Sequence, residues 1–447
     1  MSHIRRAIPV LAPLLLAITT SAQQSPALDR AFAEFWKADD PRSAERAAER
    51  IVKTAADFDT IYARLTAGRP FGKERTGEIA MRFPAGTGVL FDNYIDVPAE
   101  YTPERKWQLR VQLHGGVSRP PSSTVRGGAS IEEEESTQRN SAPSLGRPRR
   151  DNRIPGASQI YIHPNGFAGA EWWQTTQVDN ILRLVDRVKR HYNVDESRIY
   201  LTGISDGGTG AYYMAMKEST VWSAFLPLNG SIKVLSNPAV RAEGELFSTN
   251  LVNRPFYIVN GGKDPLYPAE HIATHVQAFK QLGMSLVFRP QSNAGHDTSW
   301  WPYERSLFEQ FVKQKPREPY PTRVSWQTER TDRFNRVDWL VIDKLGVGAT
   351  DSEFEPVDIF PHRRPSGRVD IVREGNTFSA QARGVREFTL LLSPDAIDFS
   401  RRVVVRVNDA PVFDAMVTRD PAVLVKWAAR DNDRERLYGA EVKVVVP

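Results

Sequence analysis

The chain has 447 residues, of which 40% are hydrophobic, and its 59 basic and 54 acidic residues give a net charge of +5. This length and composition predict two or three globular domains with a sizeable core, and they exclude a disordered, fibrous or collagen-like polymer. A charge so close to balance does not favour a nucleic-acid partner. The sequence has no cysteine, which excludes disulfides, thiolate catalysis and zinc–thiolate sites.

Residues 1–22 have the layout of a secretory signal peptide. Arg5 and Arg6 precede an uncharged, mostly apolar run over residues 7–18, and small residues at 20–22 offer a cleavage point. An uncleaved membrane anchor is the alternative, but spanning a bilayer takes about 20 apolar residues and this run is shorter. We therefore expect a secreted or periplasmic protein with no integral membrane segment after the signal is removed.

The next part, residues 23–75, has apolar residues at helical spacing and predicts short amphipathic helices over 28–65. Residues 77–97 change to a period of two and predict an antiparallel pair of strands. From there strands alternate with helices. We expect strands at 107–113, 159–162, 198–201, 256–259 and 285–288, and helices at 175–191, 210–216 and 269–282. Such alternation predicts an α/β domain over residues 76–315 with a mostly parallel sheet flanked by helices.

Two further segments complete the organisation. Residues 118–158 are rich in Ser, Pro, Arg and Glu, and their composition fits either a lid or a mobile loop. A proline-rich connector at 315–321 marks a boundary. Beyond it, residues 320–447 are mostly strand with one helix near 420–430, which predicts an antiparallel β-rich accessory domain.

A candidate nucleophile, Ser205, lies in the motif Gly203-Ile204-Ser205-Asp206-Gly207, between a predicted strand and a predicted helix. A serine on such a sharp turn is lifted above the sheet edge, and the turn requires glycines because side chains would clash. A hydroxyl is a weak nucleophile unless a base takes its proton and an acid orients that base.

The base and the acid should follow at the ends of later strands. His296 meets this condition, whereas His362 belongs to the C-terminal part. His271 and His275 are four residues apart on a predicted helix, a spacing at which two imidazoles can bind a metal, but no glutamate stands between them as is usual in such sites.

For the acid, Asp264 follows the strand at 256–259 and is preferred to Asp297. Asp297 is adjacent to His296, and neighbouring side chains in a loop usually diverge.

Negative charge on the substrate oxygen during acyl transfer needs backbone N–H donors. Asp206, the residue after the serine, supplies one. His114-Gly115-Gly116 at another strand end should supply the second, assigned to Gly116 with Val117 left open, while His114 is interpreted as structural.

Over residues 77–315 the sequence resembles the α/β-hydrolase superfamily. It is most similar to secreted esterases and predicted peptidases related to polyhydroxyalkanoate depolymerases, feruloyl and acetyl-xylan esterases and prolyl-oligopeptidase catalytic domains. The resemblance rests on the motifs at 114–116, 203–207, 261–264 and 295–297. It implies an α/β-hydrolase fold and a Ser-His-Asp serine hydrolase that needs no cofactor or metal. The N-terminal part shows no β-propeller repeat, which departs from prolyl oligopeptidase itself.

Paired aromatic residues bear on specificity. Trp172, Trp173, Trp300 and Trp301 either rim a pocket for an aromatic or sugar-bearing ester or pack in the core. Trp326, Trp339 and Trp427 in the last domain form either a sugar-binding platform or, as is more common, its core.

We expect an exported serine hydrolase that cleaves a small-molecule or polymer-linked carboxylic ester. A prolyl-oligopeptidase-like serine peptidase is the alternative, and a non-catalytic binding protein on a hydrolase scaffold is a third hypothesis. The oligomeric state is left open.

Overall fold

The computed structural model describes residues 25–84, 90–117, 156–346 and 359–447. The predicted signal peptide and nearly all of the long loop expected at 118–158 lie outside the described residues. Within these ranges no helix is long and apolar enough to cross a membrane.

Three short helices open the described chain. They are α1 (Pro26–Lys37), α2 (Pro41–Lys53) and α3 (Phe58–Ala67), which confirms the helices expected over residues 28–65. Helix α2 begins where the Asp40 carboxylate accepts a hydrogen bond from the Ser43 N–H at 2.9 Å, satisfying a donor that the helix itself leaves unpaired. Their buried faces share one core with a helix near the C-terminus through residues such as Leu424. The N-terminal segment therefore packs against the C-terminal region.

One eight-stranded sheet organises residues 77–291. In chain order its strands are β1 (Gly77–Pro84), β2 (Leu90–Val97), β3 (Trp107–Leu113), β4 (Ile160–His163), β5 (Val194–Ile204), β6 (Ala224–Leu228), β7 (Phe256–Gly261) and β8 (Leu286–Gln291). Their spatial order is β1-β2-β4-β3-β5-β6-β7-β8. Strands β1, β2 and β4 pair antiparallel, and from β4 to β8 neighbouring strands are parallel. The mostly parallel sheet is confirmed, and its parallel carboxyl ends meet along one edge.

Four helices accompany this sheet. They are α4 (Thr175–His191), α5 (Asp206–Lys217), α6 (Ala269–Gln281) and α7 (Trp301–Gln314). The predicted bounds of α4 are confirmed, and its apolar stripe, which includes Val178, Ile181 and Val185, is buried in the main core. This architecture confirms the α/β-hydrolase fold expected from the sequence.

The sequence analysis missed two of these elements. Strand β6 contains Pro227, which pairs with Gly203 of β5, although proline usually argues against a central strand because it donates no hydrogen bond. Helix α7 begins at two tryptophans followed by Pro302. Proline is well suited to the first turn of a helix because it donates no hydrogen bond there.

The C-terminal region forms two further sheets and one helix, α8 (Pro421–Asp431). Its strands are β9 (Arg323–Thr328), β10 (Arg336–Val337), β11 (Leu340–Leu345), β12 (Gly367–Glu374), β13 (Thr377–Arg383), β14 (Val385–Leu392), β15 (Val403–Val407), β16 (Ala410–Ala415) and β17 (Ala440–Val445). The sheet orders are β10-β11-β14-β17 and β16-β15-β13-β12-β9. The β-rich prediction is confirmed, with one parallel pair, β13 with β15. The pair is parallel because β14 crosses to the other sheet between them.

The tryptophans of this region lie inside it. Trp326 and Trp339 are buried in the core between its sheets, and Trp427 of α8 is buried against the same core. Buried rings cannot form an exposed sugar-binding platform, so these residues serve as core.

Candidate active site

Ser205 occupies a strained turn between β5 and α5. Its φ of +57° and ψ of −118° are unusual for a residue with a side chain, and its N–H donates to the Leu228 carbonyl at 2.9 Å. A Cβ at Gly203 would lie 2.1 Å from the Gly207 oxygen, and one at Gly207 would lie 2.3 Å from the Leu113 oxygen. Glycine is therefore required on both sides of the serine for strand and helix to approach this closely.

The His296 imidazole joins Ser205 to Asp264. Its Nε2 is 2.8 Å from the Ser205 Oγ, and its Nδ1 is 2.7 Å from an Asp264 carboxylate oxygen. Because Asp264 can only accept when ionised, Nδ1 carries the proton and Nε2 accepts from the serine hydroxyl. The three side chains form one chain of hydrogen bonds that the linear sequence spreads over residues 205–296.

Asp264 is held in place by backbone donors. Its side chain is fully buried, and its other oxygen accepts hydrogen bonds from the N–H groups of Leu266 and Tyr267 at 2.8 and 3.0 Å. Such bonds stabilise an ionised carboxylate in a buried position. Asp297, the alternative acid, instead accepts from the Ser299 N–H at 2.8 Å and faces solvent. Hydrogen bonds from the Ser299 hydroxyl and N–H lower its pKa. The geometry therefore joins Asp264, and not Asp297, to the imidazole.

Asn229 fixes the loop that carries His296, and the sequence analysis missed it. This buried residue follows β6 with a left-handed φ of +47°, which asparagine tolerates better than most residues. Its side-chain NH2 donates to the Asp297 carbonyl at 2.7 Å. An asparagine directly after a strand that ends at this edge of the sheet could have identified Asn229 from the sequence, but only if β6 had been predicted.

The His114 loop lies directly against Ser205. A Cβ at Gly115 would be 3.0 Å from the Ser205 Cβ, and the next residue, Gly116, has a φ of +75° and is exposed. On the other side of Ser205, the Asp206 backbone begins α5, and its side chain is buried. The Asp206 N–H and the loop that carries Gly116 therefore both adjoin the serine, and the role of the two N–H groups in binding the substrate oxygen stays a prediction.

His114 itself bridges two loops. Its Nδ1 donates to the Gly115 carbonyl at 2.9 Å and its Nε2 accepts from the Gly166 N–H at 3.1 Å. The contact at Nε2 requires the neutral ring, because a protonated nitrogen cannot accept a hydrogen bond, and burial lowers the pKa of His114. The Trp172 indole N–H donates to the His114 carbonyl at 2.8 Å, which ties this loop to the segment after β4.

The proposed pocket of tryptophans is not present. The four side chains are 1 to 7% exposed and belong to the cores on either side of the sheet: Trp172, Trp173, Trp300 and Trp301. Trp173 donates to the Val240 carbonyl at 3.0 Å, and Trp301 packs edge-on against Phe308 with ring centroids 5.1 Å apart. Rings buried in this way brace the loops around the site and offer no face to a substrate. Of the two alternatives that the sequence left open, their burial favours the core.

The other candidate histidines lie on other elements of the fold. His271 and His275 stand on α6, and burial lowers the pKa of His275. Across the described ranges no group of three His, Asp or Glu side chains is arranged to hold a metal ion. His362 contacts the Leu246 carbonyl at 3.2 Å.

Residues 165–298 match the dienelactone hydrolase family. The bifunctional acetylxylan esterase/xylanase XynS20E of Neocallimastix patriciarum is 30% identical over 74 residues, which make up 16% of this chain and 11% of that protein. This chain thus spans about a tenth of the length of the curated relative that it matches.

Among solved structures, an acylaminoacyl peptidase of Pyrococcus horikoshii is 16% identical with a TM-score of 0.39, over 56% of this chain and 43% of its own. Esterase 2 of Thermogutta terrifontis is 16% identical with a TM-score of 0.39, over 54% of this chain and 96% of its own. Likeness at this level carries no argument about activity.

The segment that matches the dienelactone hydrolase family contains Ser205, Asp264 and His296. The eight-stranded, mostly parallel sheet gives residues 77–314 an α/β-hydrolase fold, and the matched segment lies within it.

Proposed function

We propose that the protein hydrolyses carboxylic esters through an acyl-enzyme formed on Ser205. The observation that carries this proposal is the position of His296, whose two ring nitrogens bond the Ser205 hydroxyl and the Asp264 carboxylate at the same time. A base placed in this way can remove the hydroxyl proton as the oxygen attacks a carbonyl.

In the first half-reaction the Ser205 Oγ bonds to the ester carbonyl carbon while His296 takes the hydroxyl proton. The negative charge that forms on the carbonyl oxygen is stabilised by the N–H groups of Gly116 and Asp206. The intermediate then breaks its bond to the alcohol oxygen, which receives the proton from His296.

In the second half-reaction water replaces the alcohol. His296 removes a proton from the water, the resulting hydroxide adds to the acyl carbon, and the proton returns to Ser205 as the acid is released. Asp264 keeps the imidazole oriented and stabilises its positive charge in both halves. The scheme uses only groups of this chain, and water is the sole co-reactant.

The nature of the substrate is part of the proposal. The relative that matches over 74 residues is named an acetylxylan esterase, which makes acetylated xylan the first polymer to test. The same residues can cleave an activated amide, so the peptidase alternative is tested with the same enzyme. A panel of p-nitrophenyl acetate, acetylated xylan, a feruloylated sugar and aminoacyl anilides decides between them, and cleavage of the anilides alone would contradict the ester proposal.

Labelling with a fluorophosphonate tests the nucleophile directly. We expect wild-type protein to be labelled and Ser205→Ala to be unlabelled, with turnover reduced by about 10⁴-fold or more. The matched control is Ser236→Ala, since the Ser236 hydroxyl is exposed and bonds only the Lys233 carbonyl within the described structure. Labelling of the Ser205 variant at the wild-type rate would place the nucleophile elsewhere, and no labelling of wild-type protein would favour a non-catalytic scaffold.

We also propose that the protein is exported and that residues 1–22 are removed. The basic start, the apolar run and the small residues at 20–22 support this. Expression of the full chain in a Gram-negative host, followed by fractionation and N-terminal sequencing, tests it. We expect a periplasmic or secreted product that begins at Gln23, whereas an intact N-terminus in the membrane fraction would support the anchor.

A further inference from the structure

A cleft of about 920 Å³ lies far from Ser205, where three parts of the chain meet. It is bounded by the start of α2, by α4, by the residues after α5 and by the C-terminal region around Arg336 and Arg436. Helix α5 begins beside Ser205 and, at 12 residues, carries the chain about 18 Å away before it reaches Glu218 at the cleft. A ligand here would therefore be separate from the ester site.

Lys189 of α4 lines this cleft and is 6% exposed. Its ammonium donates one hydrogen bond, to the Asp431 carbonyl at 3.0 Å. Within the described parts of the chain no carboxylate lies within ion-pairing distance of it. An ammonium has three N–H donors, so two are unused, and the burial that removes water from the charge lowers the pKa of Lys189.

Glu218 lines the same cleft just after α5. Its carboxyl group accepts one hydrogen bond, from the Thr220 N–H at 2.7 Å. No cation of the described ranges pairs with it directly. Burial raises the pKa of Glu218. The hydrogen bonds from Thr220 and the positive charges of Arg336 and Arg436 lower it by a smaller amount.

The surrounding buried charges are in excess on the positive side. Five buried cations either line the cleft or share a carboxylate partner with Arg436 of its lining: Lys189, Arg254, Arg317, Arg336 and Arg436. Three carboxylates pair with the arginines: Asp338, Asp431 and Asp433. Two other carboxylates that act on Lys189 are already paired, Asp186 with Arg190 and Glu196 with Arg434. Even with Glu218 ionised the group holds more positive than negative charge, and buried charge that lacks a partner is costly.

We propose that this cleft binds a small hydroxycarboxylate, such as a sugar acid. The carboxylate accepts the two unused N–H donors of Lys189 and neutralises the excess positive charge, while a hydroxyl group donates to the free oxygen of Glu218. Ligand-binding clefts commonly measure about 300–1,000 Å³, and the volume of this cleft, about 920 Å³, is enough for a small sugar acid. A bound acid would also tie α4 to the C-terminal region, because Lys189 already bonds Asp431.

The proposal is tested on the full chain by thermal unfolding and by calorimetric titration with gluconate. Glucose, acetate and sodium chloride at matched ionic strength serve as partial probes. We expect gluconate to bind saturably and to raise the Tm of the wild-type protein, acetate to bind more weakly, and glucose and chloride to have no saturable effect. Absence of saturable gluconate binding, or an equal response to chloride, would overturn the proposal.

Two variants separate a ligand site from a structural charge. Lys189→Met removes the charge and keeps the length of the side chain, and we expect gluconate affinity to fall by about ten- to a hundredfold. Without ligand this variant should be at least as stable as the wild type, because it loses a buried charge that lacks a partner. Glu218→Gln should bring gluconate affinity close to that of acetate, and Lys280→Met on the exposed face of α6 is the matched control.

A Lys189→Met variant that binds gluconate normally, or that is much less stable than the wild type without ligand, would show that the ammonium is structural. If that variant does not fold, the comparison between Glu218→Gln and the wild type decides. Equal gluconate affinities in those two proteins would refute the role assigned to Glu218.

Discussion

Replacement of Asn229 tests whether the ester site depends on how the His296 loop is held. Asn229→Gly keeps the left-handed backbone without strain, because glycine adopts a positive φ freely. It removes the 2.7 Å hydrogen bond from the side chain to the Asp297 carbonyl. This bond is partly buried, and the loss of one typical hydrogen bond costs about 0.5–1.5 kcal/mol. Part of this cost falls on the active conformation of the loop.

The kinetic effect should be larger than the effect on stability. His296 must keep its Nε2 within hydrogen-bonding distance of Ser205, now 2.8 Å, and a misplacement of about 1 Å in such a site costs about 10²-fold in rate. We therefore expect Asn229→Gly to lower kcat/KM for p-nitrophenyl acetate by about 10- to 100-fold and to slow fluorophosphonate labelling by a similar factor. Asn229→Asp should be at least as impaired, because a carboxylate would face the Asp297 carbonyl oxygen.

Asn408 provides a matched control. It has a left-handed φ of +48°, and its side chain bonds both the N–H and the carbonyl of Ala382, at 2.8 and 3.1 Å, in the C-terminal region. Asn408→Gly should lose a similar amount of stability by thermal or urea unfolding and keep its activity. If Asn229→Gly loses stability like Asn408→Gly but retains kcat/KM within twofold, the reasoning is refuted and Asn229 is only structural.

Three further predictions concern the same edge of the sheet. Because burial lowers the pKa of His114, the unfolded chain takes up a proton near pH 6.5 while the folded chain does not, so the free energy of unfolding should fall as the pH decreases from 7 to 5. This group contributes at most about 1.4 kcal/mol per pH unit. Urea unfolding of His114→Gln should lack this contribution, and identical pH slopes for the variant and the wild type would contradict the prediction. Gly203→Ala should prevent folding or destabilise the protein by more than about 3 kcal/mol, since its Cβ would lie 2.1 Å from the Gly207 oxygen; circular dichroism measures this, and a native melting curve would show that the turn can relax. Trp172→Phe removes the indole donor to the His114 carbonyl and should cost about 1–3 kcal/mol in urea unfolding, whereas Tyr303→Phe at an exposed ring should be neutral, and equal effects of the two changes would count against the bracing role of Trp172.

The buried ion pairs explain why the C-terminal region cannot be regarded as an independent appendage. Arg254, just before β7, pairs with Asp338 of the C-terminal region through both of its terminal nitrogens, and Arg317 pairs with Asp433 at 2.8 Å. Removing one partner of such a pair leaves a buried charge uncompensated, at a cost of about 3–5 kcal/mol. None of this is visible in the sequence, because each pair joins residues more than 80 positions apart.

Local patterns in the sequence were sufficient for most helices and strands. The 3.6-residue periodicity of residues 175–191 and the glycines around Ser205 act over a few residues, so their consequences can be inferred without knowledge of the rest of the chain. The order serine, acid, histidine along alternating strands also placed Ser205, Asp264 and His296 at one edge, because parallel strands end together. Where a local rule was broken, as by Pro227 in β6, the same reasoning failed.

Only the tertiary structure decided which side chains meet. It showed the contact of Asp264 with His296 that the sequence could only favour, and it added Asn229 as support for the loop. It also buried Trp172 and Trp301, for which the sequence allowed either pocket or core. A tryptophan has the same local signature in both places, since its burial depends on which faces pack together and not on its neighbours in the chain. Contacts between distant residues are set by packing, and packing is a property of the whole fold.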